Sequence, residues 1–301
     1  MNISLEELSS EFKNNIKLNY SLKKKNWFNI GGKTKIYYKA DNLKEFINFL
    51  KKIENKEKMF VLGGGSNTLI TDKNYNGVVV KLSNNFNNIS LLSGNIIIAG
   101  SAVSDKSLSE FAMKNSLGGL EFLSCIPGTV GGGIKMNAGC FGREFQDILI
   151  SIQAINKSGQ VVTILAKDIN FKYRDSGLSE NLIFLSASFK GYNKNSNLIK
   201  DEMEELKEKK QQAQPTRIKT SGSTFKNPIN QSDKKVWQLI KESVSLKKSF
   251  GDACISEKHC NFFVNKGDAK FEDMKKLIEF VLENVLKKTG VKLETEIKIL
   301  E

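Results

Sequence analysis

The chain has 301 residues, is 40% hydrophobic and 26% charged, and carries a formal net charge of +13. That length admits two domains or three small ones, and the composition is that of a globular protein. No run of about 18 apolar residues is present, which argues against a helical membrane span, and the acidic, polar start MNISLEELSS lacks the basic and apolar regions of a secretory signal, so a cytoplasmic location is expected.

In chain order, Leu43, Phe46, Ile47, Leu50 and Ile53 recur at helical spacing behind Asp41, a candidate N-cap. Segments rich in Val, Ile and Phe then predict strands at 59–65, 77–82, 95–101, 148–156, 161–165 and 182–189. Ser104 opens a further helix. Beyond YNKNSN, a linker candidate, residues 199–213 read as a charged helix with a thin apolar stripe of Ile199, Met203 and Leu206, ended by Pro215. A helix near 233–244 and a strongly amphipathic helix at 271–288, closed by Gly290, follow. The segment KLETEIKIL reads as a final strand. Composition places boundaries near residues 82 and 200.

Cysteines at 125, 140, 254 and 260 show no C-x-x-C spacing, and one histidine cannot complete a common zinc set. The thiols therefore read as reduced and buried, and no metal site is expected. The lysines are dispersed, densest at 23–25. With no zinc-finger spacing and no basic helix beside a heptad zipper, the charge suits anionic small molecules better than nucleic acid, and no nucleic-acid partner is expected.

Glycine is the strongest signal. Eight of the 23 glycines fall within residues 118–142, GGLEFLSCIPGTVGGGIKMNAGCFG, and three more form LGGGSNTLI directly after a predicted strand. Such loops let a ligand approach the backbone and can aim successive amides at one anion. Neither G-x-x-x-x-G-K-[ST] nor G-x-G-x-x-G is matched, so this is neither a P-loop nor a dinucleotide fingerprint. The residues alone support a large phosphate-bearing ligand held by two glycine loops. On the same basis Arg174 reads as an ion-pair partner of Asp175 or another acid. Ser223, in SGSTFKNP, reads as a turn hydroxyl, and Glu296 as a solvated strand carboxylate with Glu294 as its competitor.

The segments NIGG, LGGGSNTLI, GLEFLSCIPGTVGGGIKMNAGCFG, YRDSG, GSTFKNP, SEKHCNF and LETEI resemble, in order, those of the UDP-N-acetylenolpyruvoylglucosamine reductase family. The resemblance runs from about residue 26 to residue 300. It implies an α+β fold: a two-part FAD-binding domain of the vanillyl-alcohol-oxidase (PCMH) type, at 1–82 and 83–200, plus a C-terminal α+β substrate-binding domain at 201–301, whose last strand returns to the FAD domain. It implies FAD as cofactor and NADPH as hydride donor, with a UDP-sugar reduced for peptidoglycan synthesis. Gly63, Gly64, Gly65, Ser66, Asn67, Gly128, Thr129, Gly131, Gly132, Asn137 and Gly139 would lie along the FAD. Arg174 would hold the substrate carboxylate, Ser223 would deliver a proton to C2 of the enolpyruvyl group, and Glu296 would assist. Lys226, Asn227 and His259 would bind substrate.

The chain departs from the family pattern at Cys125 and Gly133, where glycine and alanine are usual, and at Ala213, where lysine is usual. Tyr173 and Lys219 are 46 positions apart, which leaves no room for the extra loop of longer members and points to the shorter, type II form. The same fold also carries oxidases and dehydrogenases of alcohols and lactones; GSTFKNP and LETEI argue against that alternative.

Overall fold

The computed structural model describes residues 5–53, 57–216 and 218–301. The chain divides into two compact units: one of Met1–Tyr20, Lys35–Gly64 and Asn76–Lys209, the other of Ser21–Thr34, Gly65–Tyr75 and Lys210–Glu301. The composition shift near residue 200 falls close to one of these crossings, inside the helix Ser196–Ala213.

Two larger sheets lie in the first unit. One has the order Ile16–Ser21, Lys33–Ala40, Tyr75–Leu82, Met59–Val61, the last two parallel. The helix Leu43–Ile53 buries Phe46, Phe49, Leu50 and Ile53 in the same core as Ile36, Tyr38, Val78 and Val80. Tyr38 and Phe49 stack with ring centroids 3.7 Å apart. The helix is capped by Asn42, whose Oδ1 accepts from the Glu45 amide at 2.9 Å. Asn42, not Asp41, is therefore the N-cap, because only from position 42 does a short side chain reach the third helical amide.

The other sheet is antiparallel, in the order Val161–Leu165, Leu149–Asn156, Leu182–Lys190, Ile96–Gly100, Ile89–Leu92. Its core includes Ile97, Ile152, Phe184 and Phe189 together with Phe145 and Val130. Ser104 caps the helix Asp105–Lys114 by accepting from the Ser107 amide, as its sequence position suggests.

In the second unit the helices Val236–Ser243 and Phe271–Thr289 share one core with the three-stranded sheet Ser249–Phe250, Ala253–Ile255, Phe263–Asn265. The longer helix buries Phe271, Met274, Leu277, Ile278, Val281 and Val285, the three-and-four spacing read from the sequence, and ends at Gly290 with φ +72. The terminal segment is strand only at Lys298–Leu300, which pairs in parallel with Thr68–Ile70. Upstream, Thr295 makes a single bridge to Phe225, so the predicted nine-residue strand is instead extended chain with two different partners. Among the described residues no helix is long and apolar enough to cross a membrane.

Candidate active site

Within the first unit, the two glycine loops face one another. A β-carbon on Gly63 would stand 3.0 Å from Thr129 Oγ1 and 3.9 Å from Gly132 Cα, so the loops approach across a gap that a side chain at 63 would fill. Lys81 donates to the Gly63 carbonyl, which fixes the end of that loop. Thr129 starts the short helix Val130–Lys135, and the Gly131 amide donates to Ser101 O at 3.0 Å. At Gly133 an added β-carbon would lie 2.3 Å from the Phe145 ring. The Phe145 ring takes the space that a side chain at 133 would need, so glycine fits here where alanine would clash. Gly63 and Gly64 belong to the first unit; Gly65, Ser66 and Asn67 belong to the second, where Asn67 Nδ2 donates to the Glu296 carbonyl at 3.1 Å.

Arg174 lies in the turn Lys172–Asp175, closed by reciprocal main-chain bonds of 2.8 and 3.1 Å. Its φ of +58 is left-handed, a conformation uncommon for a long side chain and costly by about 1 kcal/mol or more. The guanidinium donates to Gly139 O at 2.9 Å and to Glu144 Oε1 at 3.3 Å, and sits 4.8 Å from the Tyr173 ring centroid. The partner acid is thus Glu144; Asp175 instead accepts from the Gly177 amide. Asn137, expected beside the cofactor, is buried and its side-chain amide is spent within the protein. Its Nδ2 reaches Glu144 Oε2 at 2.8 Å and Lys172 O at 3.2 Å, while its Oδ1 accepts from the Gln146 amide at 3.1 Å.

In the second unit, the segment 223–226 lies between two extended segments. On one side Ser223 bridges Phe262 and the Thr224 amide donates to Asn261 O at 2.8 Å. On the other the Glu296 amide donates to Thr224 O at 2.8 Å and the Lys226 amide to Glu294 O at 2.9 Å. The buried Asn261 clasps Phe225 twice, accepting from its amide at 3.0 Å and donating to its carbonyl at 2.9 Å. Ser223 is half-buried, and among the described residues no protein group hydrogen-bonds its hydroxyl. Gly222 before it has φ +77.

Glu296 is half-buried in the same unit. Glu294 is exposed, and its carboxylate lies 3.5 Å from Lys226 Nζ. Asn227 Oδ1 accepts from the Val236 amide at 3.0 Å, at the first turn of the helix Val236–Ser243. His259 accepts at Nδ1 from the Asn261 amide at 3.3 Å, which places the proton of its neutral ring on Nε2. Its ring packs edge-on against Phe262, 4.8 Å between centroids, and burial pushes its pKa below the usual histidine value. Asn261 and Glu144 were not singled out from the sequence; Asn261 sits inside the matched segment SEKHCNF and Glu144 lies two positions past the glycine block that ends at Gly142, and their roles come from contacts made across 36 and 30 positions.

Residues 214–300 match the C-terminal domain of UDP-N-acetylenolpyruvoylglucosamine reductase, and residues 34–165 match an FAD binding domain. The chain is 63% identical over 302 aligned positions to the UDP-N-acetylenolpyruvoylglucosamine reductase of Pelagibacter ubique (strain HTCC1062), covering 99% of this chain and 100% of that one. It belongs to the UDP-N-acetylenolpyruvoylglucosamine reductase family. The Rickettsia canadensis (strain McKiel) enzyme of that name is 40% identical over 95% of this chain and 96% of its own length. The crystal structure of the Thermus caldophilus enzyme superposes with a TM-score of 0.80 at 29% identity, covering 95% of this chain and 98% of that chain. As a member of the compact form of this family, the protein is an FAD-dependent oxidoreductase of peptidoglycan precursor synthesis, with NADPH as reductant and a UDP-sugar as substrate.

Proposed function

We infer that Arg174, Ser223 and Glu296 carry the chemistry by which UDP-N-acetyl-enolpyruvoylglucosamine becomes UDP-N-acetylmuramate. Bound FAD supplies the two-electron transfer, from NADPH to C3 of the enolpyruvyl group. Addition at C3 leaves negative charge at C2 that spreads into the neighbouring carboxylate. Arg174 would hold that carboxylate: its guanidinium is a cation whose donors form a fork matching the anion. Ser223 would give its proton to C2. No histidine base is needed, because the carbanion-like carbon is itself the strong base and the hydroxyl needs only placement.

The observation that carries this reading is the Ser223 segment: main-chain bonds lock it on both sides while, among the described residues, no protein group hydrogen-bonds the hydroxyl. Glu296 follows from the same clamp, since its amide donates to Thr224 O and its side chain is half-buried. The exposure of Glu294 and its pairing with Lys226 make it the weaker choice. Lys226 and His259 would bind substrate phosphate or carboxylate. Asn227, whose Oδ1 accepts from the Val236 amide, would take part in the same binding.

The gap between Gly63 and the Thr129–Gly132 turn fits the FAD phosphates, as it leaves main-chain groups without intervening β-carbons. Gly64, Gly128, Gly131 and Gly139 would extend that cradle, and Gly65, Ser66, Asn67 and Asn137 would bind FAD as well. By role, residues 1–82 and 83–200 would form the FAD-binding subdomains and 201–301 the substrate domain. A cytoplasmic location without a nucleic-acid partner fits enzymes fed by NADPH and sugar nucleotides. Isotope placement tests the scheme: reaction in D2O should put solvent deuterium at C2 of the product's lactyl group, and hydride-labelled NADPH should put its label at C3. Label from NADPH at C2 would reverse the assignment of the two carbons.

A further inference from the structure

Glu144 has no role in the scheme above, yet it is the acid that meets Arg174. Its carboxylate is engaged at both ends. Oε1 accepts from Arg174 Nη1 at 3.3 Å, while Oε2 accepts from Asn137 Nδ2 at 2.8 Å and Gln146 Nε2 at 2.9 Å. Both ionic side chains are mostly buried, at 18% and 22% exposed, so the pair is screened less than a surface ion pair. Asn137 also reaches Lys172 O, the residue that opens the turn carrying Arg174. One buried asparagine therefore ties the base of the turn and the acid that meets its side chain.

Gly139 completes the bracket. Its carbonyl accepts from Arg174 Nη2 at 2.9 Å, and it pairs with Glu144 across the small hairpin. A β-carbon at 139 would come within 2.7 Å of Glu144 Cγ, so the glycine leaves the path that Glu144 takes to the guanidinium. We propose that Glu144 is a positioning residue for Arg174: fixed by Asn137 and Gln146, its carboxylate holds the guanidinium, on a left-handed backbone, in the orientation that receives the substrate carboxylate. The proposal rests on the reading of Arg174 given above. A guanidinium on a long chain has many rotamers, and orienting it before substrate arrives removes that ordering cost from the reacting complex.

The test is a double-mutant cycle on the FAD-loaded enzyme. Anaerobic rapid mixing follows two steps separately: reduction of bound flavin by NADPH, and its reoxidation by the enolpyruvyl sugar nucleotide. Glu144→Ala should slow reoxidation about tenfold, leave reduction within about twofold of wild type, and retain FAD. Glu144→Gln, which keeps the shape but not the charge, should fall between the two. In an Arg174→Ala background Glu144→Ala should cost nothing further, because its only route to the reaction is gone.

A normal loss on Arg174→Ala, with an additive loss from Glu144→Ala, overturns the proposal alone. So does a Glu144→Ala enzyme that reoxidises at the wild-type rate. If Arg174→Ala reoxidises at the wild-type rate, the reading of Arg174 falls first and this proposal with it. Should Glu144→Ala lose FAD, Glu144→Gln with Arg174→Ala carries the same cycle and the same outcomes.

Discussion

Arg174 and Ser223 are held in opposite ways. At Arg174 the backbone is strained, with φ +58, and the side chain is tied down by Gly139 O, Glu144 and the Tyr173 ring. At Ser223 the backbone is clamped by neighbouring segments on both sides, and the hydroxyl has no protein partner among the described residues. The difference follows from the tasks. A long cation must be oriented against many rotamers, so side-chain contacts do the work. A one-carbon hydroxyl has almost no reach, so only the backbone can place it, and a firm acceptor would compete for the proton it must give up.

The largest effect expected from breaking this contrast is at Arg174. Arg174→Ala should lower kcat/KM by about 10²-fold or more, the scale of losing a preorganised charge stabiliser, while thermal unfolding stays near wild type. A matching loss of stability would recast Arg174 as structural. Asn261→Ala should behave in the reverse order. It strands the buried amide and carbonyl of Phe225, so stability should fall first, by about 2–4 kcal/mol in denaturant titration. Activity per folded molecule should fall with it, by roughly tenfold, as the hydroxyl loses its place. Unchanged stability would show that the clamp does not depend on this clasp.

A smaller difference separates two replacements at one site. Arg174→Gly should be more stable than Arg174→Ala by about 1 kcal/mol, because glycine reaches φ +58 without strain; equal melting would remove strain from the account. The smallest effect concerns pH. His259 lies in the turn that carries the clamp, and burial holds its pKa below 6.5. The unfolded chain therefore takes up the proton first as pH falls. This contribution to stability is present above about 6.5, is lost as pH drops toward the folded value, and changes no further below it. His259→Gln should flatten the stability profile in that window relative to wild type; identical slopes would place the ring in contact with water.

The sequence was legible where one residue type answers one local demand. The amphipathic helix at 271 and its Gly290 cap follow from periodicity and a left-handed terminus. The glycine loops could be read because close approach and positive φ leave few alternatives, and the family resemblance then assigned them to FAD. What could not be read depends on contacts between distant positions. Nothing local marks Glu144 as the partner of Arg174, or Asn261 as the clasp on Phe225. The cap on the first long helix shifted from Asp41 to Asn42 because both residues have capping side chains and only the backbone path chooses between them. The last strand shortened for a similar reason: alternation in KLETEIKIL identifies extended chain, but a strand also needs a continuous partner, and here the partner changes from Phe225 to Thr68–Ile70.

The most direct test of the account is Ser223→Ala with FAD bound, mixed anaerobically first with NADPH and then with the enolpyruvyl sugar nucleotide. Flavin reduction should match wild type, and reoxidation by substrate should slow by about 10²-fold or more, with partial recovery in Ser223→Cys. Reoxidation at the wild-type rate in Ser223→Ala would contradict Ser223 as the proton donor.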